Sequence, residues 1–269
     1  MLKQAGFSAY CAKNLVFSLE CKKPVQSVIN KIESKSKKLS EFCSIDRGCD
    51  TADNKRYTGS KFIKDKNAKR LLSGRDISRY YNAWNNLYLY YLPEQMIKNK
   101  ATARPGDSER FEVKEKLIVY RFLDNKGRFV ATYDSEQFYC FGSTYVVSLL
   151  PNSQISLKFV LAILNSNLVA FHNKRFEGVK ITLNEMKSLP IYNLDNSDKK
   201  EVIQHNQIVS LVDQVTDLYH ELNSKRTPYD KNRIKREIIT NEINLNKIIY
   251  ELYGLTEDFE IKLVEDALK

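Results

Sequence analysis

The chain is short of the residues that break, staple or bend a polypeptide. Its 269 residues include 9 glycines, 6 prolines, 5 cysteines and one tryptophan, Trp84. So little Gly and Pro excludes a fibrous, low-complexity or loop-dominated chain. No run approaches the roughly 20 apolar residues needed to span a bilayer. Met1 to Lys13 lacks both the apolar core and the small-residue cleavage site of a secretory leader. The expectation is a soluble, cytoplasmic protein that engages no membrane. The cysteines, Cys11, Cys21, Cys43, Cys49 and Cys140, are odd in number and form no C-x-x-C pair. That pattern predicts reduced thiols, with neither a disulfide framework nor a zinc site.

Motifs for chemistry are missing as well. A methyltransferase that acts on amino groups needs a Gly-rich cofactor loop and an Asn/Asp/Ser-Pro-Pro-aromatic motif, yet Asn-Pro and Pro-Pro never occur. There is no P-loop, no H-E-x-x-H and no G-x-S-x-G. His172, His205 and His220 lie far apart and read as surface or half-buried helix residues. The expectation is a chain with no cofactor, no metal and no catalysis of its own.

What is present is hydrophobic content and positive charge. At 42% hydrophobic the chain has enough apolar material for a real core, so composition does not predict disorder. Net charge is +10, and it is unevenly spread. Residues 1–46 carry +4, residues 47–130 carry +9, residues 131–197 are neutral and residues 198–269 carry −3. A basic front half beside an acidic rear suggests a polyanion-facing surface next to a structural or partner-facing part. Solvated surface lysines are the plainer alternative.

Along the chain, Leu15 to Leu19 reads as a strand and residues 24–38 as a short helix opening at Pro24. Residues 39–49 read as a strand entering a turn, with Gly48 supplying a backbone angle that other residues resist. Basic loop material follows from Asp50 to Arg70. Continuous apolar runs at 87–92 and 117–123 suit buried strands. A hairpin turn at 125–128 leads into FVATY, and YVVSLL ends at Pro151. Beyond it the period becomes helical: one helix over 156–172, then two long amphipathic helices over 201–223 and 233–253 joined by a turn at Pro228. Gly254 is a natural C-cap before a last helix. The expected class is α+β: a mixed β-sheet region with loops, followed by an antiparallel helical hairpin. The expected division is 1–24 as linker, 25–197 as the sheet domain and 198–269 as a helical unit.

One catalytic pattern is tempting. Pro105-Gly106-Asp107 followed by Glu112-Val113-Lys114 echoes the P-D…E-x-K arrangement in which two carboxylates hold Mg²⁺ beside a lysine. The carboxylates are only five residues apart, however, and the stretch DSERFEVKEK is an ordinary alternating charge run.

Seven stretches, in order, carry a family likeness: KSKKLSEFCSIDRG (35–48), LSGRDISRYYNAW (72–84), FEVKEKLIVYR (111–121), YDSEQFYCFGS (133–143), KFVLAILN (158–165), LNEMKSLPI (183–191) and IIYELYGLT (248–256). Their order resembles the TaqI-like C-terminal specificity domain of type II restriction–modification enzymes, which fuse or pair a DNA adenine methyltransferase with restriction activity. Such domains look like the recognition half of type I specificity subunits. The resemblance implies sequence-specific binding of double-stranded DNA, with a methyltransferase or endonuclease as partner subunit or fused domain. No methyltransferase region precedes it in this sequence, so the chain reads as an excised domain, a split subunit or a gene remnant. On this reading the DNA-contacting candidates are Arg47, Lys55, Arg56, Lys61, Arg75, Arg79, Arg104, Arg121, Arg128, Lys174, Arg175 and Lys180. Asn54, Asn99 and Asn125 could read bases or form turns. Tyr80, Tyr81 and Trp84 could stack on bases or fill a core. The competing readings are a protein-interaction module acting through the helical hairpin and a nuclease built on Asp107, Glu112 and Lys114.

Overall fold

The computed structural model describes residues 19–62, 64–174, 178–225 and 227–269. In chain order the first elements are α1 (Leu19–Ser34), β1 (Ser36–Lys38), α2 (Leu39–Phe42), β2 (Cys43–Arg47), α3 (Asn54–Tyr57), β3 (Ala68–Leu72), β4 (Ile77–Ser78), β5 (Tyr81–Asn82) and β6 (Tyr88–Tyr90). There follow α4 (Pro93–Asn99), α5 (Glu109–Glu112), β7 (Lys116–Tyr120), β8 (Val130–Asp134), β9 (Tyr139–Cys140) and β10 (Thr144–Leu149). The last are α6 (Leu157–Leu164), α7 (Asn167–Asn173), α8 (Leu183–Lys187), β11 (Pro190–Tyr192), α9 (Lys199–Ser224), α10 (Pro228–Leu252) and α11 (Asp258–Asp266).

The central sheet has the order β2-β10-β7-β8, with every pair antiparallel. Successive side chains on a strand point to opposite faces, and both faces here are covered. Leu117, Val119, Ala131, Tyr145 and Val147 face the apolar cluster that also holds α6 and the long helices. Ile118 and Val146 face a second cluster with Cys49, Tyr57, Leu71 and Tyr139. Two-sided burial explains why β7 reads as an unbroken apolar run rather than an alternating one. A small sheet, β6-β3-β9, lies over the second cluster and mixes one antiparallel with one parallel pairing. The terminal pair β1-β11 closes the first region.

The helical hairpin is as the period predicts. Asp198 caps α9, Thr227 caps α10 ahead of Pro228, and Gly254 adopts a positive φ of 74° at the far end. The two helices run antiparallel, placing Gln204 beside Glu251 at one end and Arg233 beside Glu221 at the other. Ile208, Val212 and Val215 of α9 are buried, as are Ile234, Ile238, Leu245 and Ile249 of α10. Ile203, Ile239 and Ile243, which the helical period assigns to the apolar stripe, are instead exposed. The α+β class with a C-terminal helical hairpin is therefore the observed architecture.

Several local expectations are corrected. Leu15 to Ser18 lie outside the described residues, and Leu19 begins a helix rather than ending a strand. That helix starts ahead of Pro24 and ends at Ser34. The expected strand over 39–49 begins with a helical turn, because Glu41 accepts from the Lys38 amide and closes a cap. The single helix over 156–172 is two. Ser166 caps the second, while the Asn165 side chain accepts from the Ala131 amide at 3.1 Å and donates to its carbonyl at 3.0 Å. Asn165 thus satisfies the backbone of β8, which among the described residues is the last strand of the central sheet. His172 is buried on α7 near Glu33, not at the surface. Cys43, Cys49 and Cys140 are free thiols, and burial pushes each up to about 12.

One ion pair is fully interior. Lys116 and Asp134 face each other across β7 and β8, with Nζ to carboxylate at 2.6 Å and both side chains buried. Lys116 also donates to the Phe111 carbonyl, and Asp134 accepts from the Glu136 and Phe138 amides. With both Asp134 oxygens accepting amides and the ammonium also bonded to a carbonyl, the pair tolerates a buried site. Lys116→Met leaves the Asp134 charge buried without its cation. Urea denaturation should show a loss of about 3–5 kcal/mol, with much of it regained when Asp134→Leu is added.

Candidate functional site

The antiparallel register brings the end of β2, the end of β7 and the start of β10 to one edge of the central sheet. Tyr145 is opposite Arg47, and Thr144 is opposite Tyr120. Arg47 and Arg121 therefore flank the tight turn at Gly142. Arg47 Nε donates to the Gly142 carbonyl at 2.8 Å, and Arg121 Nη1 donates to the same oxygen at 3.1 Å. The Arg121 guanidinium also lies over the Tyr145 ring at 5.2 Å. Lys180 reaches the same place because its backbone bridges to Phe122, and its ammonium sits 5.9 Å from the Phe122 ring. These groups border a cleft of about 360 Å³ whose walls also carry Asp50 and Asn54.

Gly48 makes this corner possible. A Cβ there would lie 2.2 Å from the Phe141 carbonyl oxygen and 2.7 Å from that of Cys140. Its φ is not in the left-handed region, so the need for glycine is close backbone approach and not the special angle expected from sequence. The approach is held by Gly48 N–H to the Thr144 carbonyl and Cys49 N–H to the Cys140 carbonyl, at 3.0 and 2.7 Å.

A second concavity of about 410 Å³ shares Arg47 as a wall and is lined by Ile97, Arg104, Asp107 and Arg110 among others. Arg104 enters through a two-way backbone pairing with Asp50, and its exposed guanidinium bonds to the Ala101 and Ala103 carbonyls. Arg110 was missed in the sequence because it sits in a run of alternating charge. It is half-buried, donates to the Arg47 carbonyl and pairs with Asp107 at 3.3 Å.

Thus the structure gathers Arg47, Arg104, Arg121 and Lys180. Lys55 and Arg56 are exposed on α3, next to Asn54 at the cleft wall. Lys61 is exposed a few residues on. Arg75 is exposed in a 3₁₀ turn whose Gly74 packs directly against the Tyr120 ring. Arg128 and Lys174 meet elsewhere, at the Asp124–Arg128 hairpin. Arg128 is half-buried and paired with Asp124 at 2.8 Å, while Lys174 donates to the Ala267 carbonyl. Arg175 lies outside the described residues.

Arg79 is a correction. It is buried, paired with Glu242 of α10 at 3.1 Å and donating to the Asn165 carbonyl at 2.9 Å. Burial opposes its charge, and the neighbouring Glu242 more than offsets that, so the guanidinium is held above its usual range. It fastens the 73–84 loop to the hairpin and cannot face a ligand. The aromatics of that loop take the core-filling alternative. Tyr80 is buried, Tyr81 stacks on Tyr219 of α9 at 6.1 Å, and Trp84 packs on Tyr88 and Phe138 while donating to the Leu87 carbonyl. Asn99 is committed to the Tyr57 hydroxyl and Asn54 to Thr51. Of the residues weighed for a nuclease, Asp107 holds Arg110. Glu112 accepts from Lys69 and Tyr139, which keep its carboxyl below the usual range. Among the described residues no three His, Cys, Asp or Glu side chains are grouped to hold a metal, and no helix is long and apolar enough to cross a membrane.

Comparison with known proteins bears on this arrangement. Residues 69–191, which supply β3 through β11, match the TaqI-like C-terminal specificity domain. Over these residues the chain is similar to that specificity domain. A Methanocaldococcus jannaschii protein, named as a type II restriction enzyme and methyltransferase, RM.MjaORFECS2P, is 24% identical over 227 residues, covering 75% of this chain and 18% of that protein. The chain therefore spans about a fifth of the curated relative it matches. Among solved structures, the type IIL restriction–modification enzyme MmeI in complex with DNA superposes with a TM-score of 0.53 at 13% identity, over 85% of this chain and 35% of that one. That likeness extends the common fold beyond the matched specificity domain into the helical hairpin. The HsdS subunit from Thermoanaerobacter tengcongensis aligns with a TM-score of 0.41 at 11% identity, over 86% of this chain and 51% of that one.

The two arginines of the 73–84 loop should separate cleanly. Arg79→Ala leaves Glu242 partly buried and unpaired and should cost about 3 kcal/mol or more. Arg75→Ala, at an exposed position, should stay within about 0.5 kcal/mol of the parent. Chemical denaturation of both variants checks this.

Proposed function

We propose that this chain binds double-stranded DNA sequence-specifically as the specificity domain of a restriction–modification system, and that it performs no methyl transfer or cleavage itself. The observation that carries this reading is the convergence of Arg47, Arg104, Arg121 and Lys180 on one edge of the central sheet, inside or beside the segment that matches the specificity family. Lysine and arginine neutralise phosphates and release counterions, which supplies affinity without sequence preference. Forked guanidiniums and amides on base edges supply the preference. Lys55, Arg56, Lys61 and Arg75 extend the basic surface around the cleft. Arg128 and Lys174 belong to it only if the duplex also reaches the 124–128 hairpin. Residues 25–197 are assigned the recognition role, residues 198–269 the support of that unit, and the cytoplasm the location.

A partner fits the hairpin. Ile239 and Ile243 are four residues apart on α10, and both are more than half exposed, at 57% and 61%. Such a pair on a solvent-facing stripe suits docking of a methyltransferase or endonuclease, whether a separate subunit or the rest of a longer chain.

Selection from a randomised duplex pool tests the reading. One short motif should be enriched, with or without a methyltransferase partner. Affinity for it should fall by at least about a hundredfold between 50 and 200 mM salt if several phosphates are engaged. Exchanging Arg47, Arg104 and Lys180 for Gln together should abolish binding. Ile239→Glu with Ile243→Glu should leave DNA affinity unchanged. Enrichment of no motif, or binding indifferent to the triple exchange, contradicts the assignment.

A further inference from the structure

The geometry points to the cleft between Arg47, Arg121 and Lys180 as a socket for a single backbone phosphate of the duplex, so that this corner positions the DNA and its sequence is read elsewhere. The inference rests on the DNA-binding reading and assigns one chemistry within it.

Charge is the first ground. Arg79, Arg110 and Arg128, whose side chains are mostly covered, each meet a carboxylate: Glu242, Asp107 and Asp124. Arg47 and Arg121 do not. Among the described residues neither has an ion pair, and both lean on one neutral oxygen, the Gly142 carbonyl. The cleft's one carboxylate, Asp50, instead accepts from the Ala52 amide two residues on. Three cations against one acid leave a positive excess in the cleft, which a bound anion would offset.

The second ground is the number and direction of donors. Arg121 Nε is buried with no acceptor among the described residues. The guanidiniums arrive from two strands and the ammonium from a third segment, and all three border the same cleft. A phosphodiester offers acceptor oxygens in several directions. A guanine edge offers two acceptors, N7 and O6, which one guanidinium satisfies. A base there would leave the second arginine without a counter-charge.

The third ground is rigidity. The Tyr145 ring under Arg121 and the Phe122 ring beside Lys180 fix the cations on sheet-borne positions. A clamp that sets the register of protein on duplex needs such a base.

The test uses the full chain and the duplex motif enriched from the pool. Affinity is measured by fluorescence anisotropy from 50 to 300 mM salt, on the motif and on every single-base-pair variant of it. Arg121→Gln, Arg47→Gln and Lys180→Gln are compared with Arg233→Gln on α10, where the guanidinium pairs with Glu221 and Glu237. Each cleft variant should lose about tenfold in affinity by the same factor on every sequence, and its log–log salt slope should flatten by about one. The Arg233 variant should change neither. Lys180 is exposed, so its variant keeps the test alive should an arginine variant fold poorly. A cleft variant that relaxes preference at one base pair and keeps the parental slope overturns the socket in favour of base reading. Variants that bind as the parent does overturn it outright. If the parent chain binds no duplex, the DNA-binding reading fails and the socket with it, an outcome distinct from failure in the variants alone.

Discussion

Gly48 lies where residues 140–142 pass over the end of β2, and the chain can cross there only because no side chain is present. A Cβ would stand 2.2 Å from the Phe141 carbonyl oxygen. The crossing turns the Gly142 carbonyl toward Arg47 and Arg121 and pairs Cys49 with Phe141. It also starts the loop that returns through the Asp50–Arg104 pairing. Displace it and the two clefts no longer share a wall. The basic edge is therefore a consequence of strand register plus one missing methyl group, and not of local composition.

Behind that edge, two polar knots fix the scaffold. Lys116–Asp134 joins neighbouring strands inside the sheet, while Arg79–Glu242 and Asn165–Ala131 join the sheet region to α10 and α6. Buried polar groups of this kind are costly when left without partners. Here they tie the 73–84 loop, the edge strand β8 and the helical hairpin into one frame. Nine of the excess positive charges arise between residues 47 and 130. The structure sorts them into those used within the frame, such as Arg79 and Lys116, and those left at its surface, such as Arg75 and Arg104.

The broad architecture was legible because period survives folding. The α9–α10 hairpin, its Thr227-Pro228 cap and its Gly254 stop follow from sequence, and so do β7, β8 and β10. The break inside 156–172 was not legible, since Asn165 serves the backbone of a strand more than thirty residues away. Nor was Leu39–Phe42, where a Glu41 cap outweighs alternation. Within the site, Arg47, Arg121 and Lys180 were named from sequence as basic loop residues, but their convergence depends on register that no local pattern encodes. Arg79 was misread for the same reason: sequence shows a charge, and only the fold shows what it faces. Arg110 was hidden by its neighbours of alternating sign.

The central claim is that duplex DNA lies across the edge where β2, β7 and β10 end. Hydrogen–deuterium exchange of the full chain, with and without a saturating duplex that carries its enriched motif, tests this most directly. The account requires new protection concentrated at 47–54, 103–110, 121–123 and 142–143, with α9 and α10 unaltered. Protection confined to the helical hairpin, with that edge exchanging as freely as before, would contradict it.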